Sequence, residues 1–402
     1  MNQLSWTEEK RLLAGCSVIN RDRPICHIVR QTIGSNLNWD YILENALENG
    51  TSSLLYRNLK EINDDGLVPR LVIKKLKDIY FDITAENIFL LEELGKVLKK
   101  FNEERISVII LKGAALLENI YQDIGLRRMR DIDILVKKKQ LHKIDRTLKQ
   151  LGYFSAYNWA DYMEISPSQY LNSICYIKRQ GKMFVILHLH WHIINTTVPV
   201  YSYGPINIER FWKEAGQTTI AGVKTLVMAP HHLLIHLSEH ILKHSYSHFI
   251  LFCDIFEVIR YCNKNGLNWE LLVQDTVEFN LNKPVYYGLY FTSKFLGAEI
   301  PERVLTRLKP SYLNYGERKI QTLIEENRGL PDLNCFSYFV MNEKVTEKFK
   351  FVLRSIFPSR EILALQYIVA PKDIRFHHYI LKVKSAFMQG LRVLIYLLRR
   401  PT

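Results

Sequence analysis

The chain has 402 residues, 48% of them hydrophobic, and a formal net charge of +13. That length and apolar content suffice for about two to three packed cores, which excludes a disordered tail or a disulfide-stapled miniprotein. Six cysteines scattered without paired spacing read as reduced thiols, no apolar run reaches spanning length, and the excess of Lys and Arg points to polyanionic partners.

Residues 1–6 lead into charged helix and not into the apolar stretch of a signal peptide, so the expected compartment is the cytoplasm. Apolar residues recur at three and four over 39–47, 52–62 and 68–101, which predicts a helical region over 1–105. From 106 to 229 the pattern is mixed. Strands are predicted at 107–111, 130–136, 172–179, 183–191 and 218–227, with helices at 114–123 and 138–151, the latter closed by Gly152. Together these make a small sheet with helices on one side. After Pro230 the helical period returns and runs to the end, giving a third region over 230–402. The expected fold class is α+β, a small mixed sheet flanked by N- and C-terminal helical regions.

The chemistry gathers in the central region. Asp131 and Asp133 stand one residue apart in an apolar run, so on a strand they share a face while Ile132, Ile134 and Val136 serve the other. Paired carboxylates repel and lose hydration, and a divalent cation between them removes both costs. Mg²⁺, or Mn²⁺, is the expected cofactor, held by Asp131 and Asp133 for phosphate chemistry. Upstream, the apolar strand over 108–111 runs straight into Lys112-Gly113-Ala114 and a helical pattern. Gly113 permits close approach and positive φ, the first helical amides are free, and Lys112 adds a point charge, so this turn suits phosphate oxygens. Arg127 and Arg130 lie close enough to reach the same ligand, whereas Arg128 is read as facing solvent.

The order strand, Leu111-Lys112-Gly113-Ala114-Ala115-Leu116, then Gly125-Leu126-Arg127 and Asp131-Ile132-Asp133 resembles the nucleotidyltransferase superfamily that includes DNA polymerase β and the aminoglycoside nucleotidyltransferases. More closely it resembles a branch of bacterial nucleotidyltransferase family proteins marked by L-K-G-A-A-L and G-L-R-x-x-x-D-I-D. The likeness extends upstream through 54–59 and downstream through His188-Leu189-His190-Trp191 and 236–254. It implies a polymerase β-like core that moves a nucleoside monophosphate from a triphosphate to an acceptor hydroxyl or amine, releasing pyrophosphate. The acceptor, a small molecule, saccharide or peptide, is not written in the chain; the branch is associated with biosynthesis of surface polysaccharides or modified peptides. The superfamily's third carboxylate aligns with His188. A histidine there is open between a general base, a nitrogen ligand and altered or lost catalysis, which would leave a non-catalytic nucleotide-binding or regulatory module.

His188, His190 and His192 alternate on one predicted strand. If it pairs with the strand of Asp131 and Asp133, His188 and His190 converge on the metal, while His192 is read as structural. His232, His236, His240, His244 and His248 follow at every fourth residue. His236 and His240 have the spacing of a zinc pair, but without a His-Glu-x-x-His order the preferred reading is a helix lining the nucleotide cleft. Asp254 is read as a structural partner of Arg260 or a histidine. No RNA-binding aromatic motif or DNA-reading helix accompanies the positive charge, so nucleic acid is not an expected partner. The basic, apolar stretch 376–400 reads as a terminal helix docked on its own domain or as one lying on a membrane surface.

Overall fold

The computed structural model describes residues 6–19, 32–33, 36–62, 66–155, 172–194, 200–264, 266–326, 334–367, 369 and 371–398. Residues 1–5, Cys26, Arg399 and Arg400 lie outside them. Helices α1 (Glu8–Gly15), α2 (Trp39–Glu48) and α3 (Ser52–Ile62) pack with the first half of α4 (Arg70–Glu103) around Leu12, Ile42, Leu55, Leu59 and Leu76. Helix α4 is 34 residues long and buries Val72, Leu76, Ile83, Asn87, Leu90, Leu94 and Phe101, one stripe at spacings of three, four and seven. Its second half turns that stripe onto the sheet, so one continuous helix joins the N-terminal helices to the core.

The sheet elements follow. Strand β1 (Val108–Ile110) leads into α5 (Lys112–Leu116), which continues as a π-helical turn, Leu117–Tyr121. Next come β2 (Ile132–Val136), α6 (Leu141–Gln150), β3 (Phe154–Ser155), β4 (Ser173–Gln180), β5 (Met183–His190), α7 (Ile208–Lys213), β6 (Gly216–Ile220) and β7 (Val223–Val227). Helices α8 (Pro230–Lys243), α9 (Ile250–Asn263), α10 (Trp269–Glu278) and α11 (Asn282–Leu296) open a helical region that ends with the C-terminal helix Phe376–Leu398. The sheet has seven strands among the described residues, in the order β3-β4-β5-β2-β1-β7-β6. Strands β2 and β5 are parallel, as are β1 and β7, and the remaining pairs are antiparallel. The architecture is thus α+β, a mixed sheet between N- and C-terminal helices.

Three expectations change in detail. The run 218–227 is two strands and not one, because Ala221 and Gly222 both take positive φ (+49° and +71°) and close a two-residue hairpin between Ile220 and Val223. The helix expected from 114 begins at Lys112 and ends at Tyr121, where Gln122 turns left-handed at φ +56°. Helices cover both faces of the sheet. Ile132, Ile134 and Val136 share a core with Leu94 of α4 and Ile144 of α6, whereas Ile109 and Leu135 join the core of Leu234, Ile235 and Leu237 in α8. All five residues of β2 are buried, which fixes the strand that carries Asp133.

The loop 122–130 is stapled to α4. The buried Asn87 amide donates to the Arg127 carbonyl at 2.8 Å and its oxygen accepts from the Met129 amide at 2.9 Å. Tyr80 donates to Asp123 at 2.9 Å, and Arg128 forks onto Glu86 at 2.7 and 2.6 Å. A Cβ at Gly125 would sit 2.4 Å from both Thr84 Oγ1 and Tyr80 Cε2, so only glycine lets the loop lie this close.

Candidate functional site

The parallel pairing of β2 with β5 sets Asp133 directly opposite His188, two register steps from the Leu135–His190 pair. Partners in register share a face, so the sheet itself brings the aspartates and histidines together. Asp131 lies just before β2 and is 39% exposed at its side chain, while Asp133 is 4% exposed. His188 Nδ1 bridges them, 3.3 Å from Asp131 Oδ2 and 3.7 Å from Asp133 Oδ1. Asp133 Oδ1 is also 3.0 Å from Lys112 Nζ and 2.7 Å from His190 Nε2.

Those contacts set the protonation states. Burial pushes the Asp133 carboxyl up, but Lys112 and hydrogen bonds from His188 and His190 outweigh it and hold it well below the usual carboxylate range. Burial works against a charged His188, yet its bonds to Asp131, Asp133 and Cys175 drive it up to about 11, so the ring is an imidazolium at neutral pH. His190 goes the other way. Burial brings it down to about 4 despite its bond to Asp133, so it is neutral and must donate from Nε2.

Lys112 reaches Asp133 from a left-handed backbone, φ +45°, which a side chain bearing Cβ adopts at a cost of about 1 kcal/mol or more. The positive φ expected at Gly113 therefore belongs to its neighbour. Gly113 serves close approach instead, since a Cβ there would lie 3.0 Å from Arg127 Nη1 and 3.2 Å from Met129 Cγ. Ala114 is buried in the core with Ile110, which leaves only its backbone for a ligand. Arg127 is committed elsewhere, its Nε and Nη2 donating to Asp254 at 2.7 and 2.8 Å. Tyr121 donates to the same carboxylate at 2.9 Å. Asp254 thus orients Arg127 and not Arg260, which pairs with Glu257. Arg130 is exposed at the rim of the cleft.

A cleft opens beside these groups, bordered by Lys112, Gly113, Arg127, Arg130, Asp131 and Asp133 on the sheet side. Opposite stand Glu48, Asn49, Gly50 and Ser52, where α2 gives way to α3, and His240, His244 and His248. His240 lines the cleft, whereas His236 is buried a turn away, with neither ring nitrogen hydrogen-bonded among the described residues. Burial, reinforced by Lys112, brings His236 down to about 3. Burial, reinforced by Lys243, brings His244 to about 4, and burial and Lys112 lower His240, so these two imidazoles are neutral. His192 caps the Ile194 amide at 3.1 Å, a structural part.

Glu239, buried on α8, was not visible as an ionisable core residue in the sequence pattern. Burial raises its carboxyl to about 7, opposed by Lys243 and a 3.4 Å hydroxyl from Tyr338. A folded value above the ordinary 4.5 means its stabilising contribution is full below about pH 4.5 and lost as pH rises through 7. Glu239→Gln is expected to match the parent in urea unfolding at pH 5 and to exceed it by about 3 kcal/mol at pH 9. Equal stability at both pH values would show the carboxyl to be ordinary.

Residues 35–297 match a family described as uncharacterised nucleotidyltransferases. The match spans more than half of the chain, which therefore belongs to that family, within the polymerase β-like superfamily. No curated protein and no solved structure matches it.

Proposed function

We propose that the chain transfers a nucleoside monophosphate from a nucleoside triphosphate to a hydroxyl or amine acceptor, with release of pyrophosphate and with a divalent cation at Asp131 and Asp133. The observation that carries this reading is the meeting of both carboxylates at a single His188 Nδ1, beside the Lys112 turn and a cleft. The protonated ring stands where the two carboxylates call for a cation, so the donor set fits one. Two oxygens suit Mg²⁺, and imidazole nitrogens at hand in His188 and His190 favour Mn²⁺. When bound, such a cation neutralises phosphate charge and makes the α-phosphorus more electrophilic.

The chain's own residues supply the rest. Lys112 and Arg130 offer positive charge to the β- and γ-phosphates, and the Gly113 turn lets oxygens approach the backbone. Neutral His240 and His244 offer hydrogen bonds to the sugar or base. The acceptor oxygen or nitrogen bonds to the α-phosphorus, the bond to the β-phosphate oxygen breaks, and pyrophosphate leaves with that electron pair. His188 stands where the acceptor gives up its proton. It can accept one only as a neutral ring, once the aspartates no longer hold its Nδ1–H.

The same bridge also favours a second reading. An imidazolium that satisfies both carboxylates makes a stable nucleotide-binding module without chemistry. Incubation of the protein with the four triphosphates, cell extract and Mg²⁺ or Mn²⁺ separates the two. Nucleotidyl transfer gives pyrophosphate and an acceptor heavier by a nucleoside monophosphate, at least as fast with Mn²⁺ as with Mg²⁺. Tight binding without product selects the module, and a nucleoside diphosphate product would sink both in favour of phosphoryl transfer. The acceptor would be a small molecule, saccharide or peptide of a bacterial biosynthetic pathway, in the cytoplasm where triphosphates are available.

Peripheral membrane contact belongs to the same proposal. The C-terminal helix exposes Phe376 (79%), Phe387 (70%), Ile380, Leu394 and Ile395, carries Lys384 and Arg392, and has no acidic residue. No helix among the described residues is long and apolar enough to cross a membrane. Removal of residues 376–402 is expected to abolish sedimentation with anionic vesicles while leaving the remaining chain folded. Unchanged sedimentation would assign the helix a purely internal role.

A further inference from the structure

A second set of metal-ligating groups lies outside the cleft, where α7, α8 and α10 meet. His231 and His232 occupy the first turn of α8, Glu214 follows α7, and Asp275 lies within α10. Glu214 Oε2 is 3.0 Å from His231 Nε2 and 4.0 Å from His232 Nε2. Asp275 Oδ2 is 3.4 Å from His231 Nε2 and 3.1 Å from His232 Nε2. Four ligands held about 2.0–2.1 Å from a tetrahedral zinc lie about 3.3 Å from one another. These four separations bracket that value, and Glu214, His231 and His232 each keep a donor within 4.8 Å of the other two.

His231 carries the independent observation. Its side chain is 7% exposed and its Nε2 lies between two carboxylate oxygens, 3.0 and 3.4 Å away, without being well aligned on either. A buried ring nitrogen directed between its acidic neighbours, and not at one of them, is aimed at a shared centre. The supporting groups hold the other ligands in place. His232 stacks on Phe211 with centroids 3.9 Å apart and an interplanar angle of 19°. Arg210 binds Asp275 Oδ1, which leaves Oδ2 for the histidine side, and its other nitrogen holds Glu278 at 2.8 Å.

We propose that Glu214, His231 and His232, joined by Asp275 when the ion binds, form a structural site for Zn²⁺ that pins α7, the start of α8 and α10 together. Arg210 already offsets part of the charge of Asp275 and Glu214, and imidazole nitrogens beside carboxylate oxygens suit zinc over Mg²⁺, which demands an octahedral shell of oxygens. The site ties together the two ends of the β6–β7 hairpin, which pairs with β1 and so backs the Lys112 turn. It is separate from the cleft. His232 and His240 are eight residues apart, about 12 Å along α8, and the inference stands whether or not the cleft turns over nucleotide.

The test uses the full chain, stripped with a chelator and reloaded with Co²⁺ or Zn²⁺ alone. Expected are the intense visible bands of four-coordinate cobalt and a rise in melting temperature with zinc. His231→Gln should abolish the bands, and Glu214→Gln, a milder change at a half-buried position, should weaken zinc binding by about tenfold or more. Asp131→Asn, which removes only what the cleft would hold, should leave the four-coordinate bands in place. If His231→Gln fails to fold, Glu214→Gln decides. An octahedral cobalt spectrum, or zinc affinity unaltered by Glu214→Gln, overturns the proposal, as does loss of the bands in Asp131→Asn alone.

Discussion

Asp131→Asn is expected to lower divalent-cation-dependent pyrophosphate release by about a hundredfold or more at an unchanged melting temperature. Asp131 is the accessible member of the carboxylate pair, 39% exposed, and holds neither Lys112 nor His190. Its loss removes a proposed cation ligand, while His188 keeps Asp133 as a partner. Asp133→Asn is a different experiment. Lys112 is buried with Asp133 as its ion-pair partner, so that substitution strands an ammonium inside the protein and costs about 3–5 kcal/mol. Full turnover by a folded Asp131→Asn protein would rule out the carboxylate pair as the cation site.

Asp254→Ala is expected to destabilise the chain by about 3–5 kcal/mol in urea unfolding. The Asp254 side chain is fully buried, Arg127 is 10% exposed, and two charge-assisted bonds of 2.7 and 2.8 Å join them. Truncation leaves the guanidinium and the Tyr121 hydroxyl without their acceptor. The loop 122–130 then keeps its staples to α4 but loses its tie to α9, so amide exchange at Arg127 to Met129 should accelerate first. Parent-like stability and exchange would mean that Arg127 is not anchored through α9.

Residue pattern made much of this architecture readable. The alternation around Asp131-Ile132-Asp133 placed the two acids on one face, and the every-second-residue spacing of His188 and His190 anticipated their approach once β5 paired with β2. Local signals have a short reach. The run 218–227 looked like one strand because Ala221 gives no hint of positive φ, and Gly222 alone does not reveal a hairpin. Lys112 could be read as a phosphate ligand but not as the partner of Asp133, since that contact depends on a left-handed backbone that lysine rarely adopts. Arg127 and Asp254 are 127 positions apart, and nothing in either neighbourhood names the other. Asn87 was hidden for a related reason, because one polar residue in an apolar helical stripe reads as an interruption until the backbone it holds comes into view.

The contact between Lys112 and Asp133, with His188 astride both acids, has a thermodynamic consequence. Two positive side chains already compensate two negative ones, so a dication entering alone displaces partners that then lack a counter-charge. A triphosphate entering alone meets a lysine whose charge is already engaged. Entering together, each satisfies the groups that the other releases, and their affinities rise by the same factor whichever binds first. The proposed function therefore carries an expected outcome, positive cooperativity between cation and nucleotide.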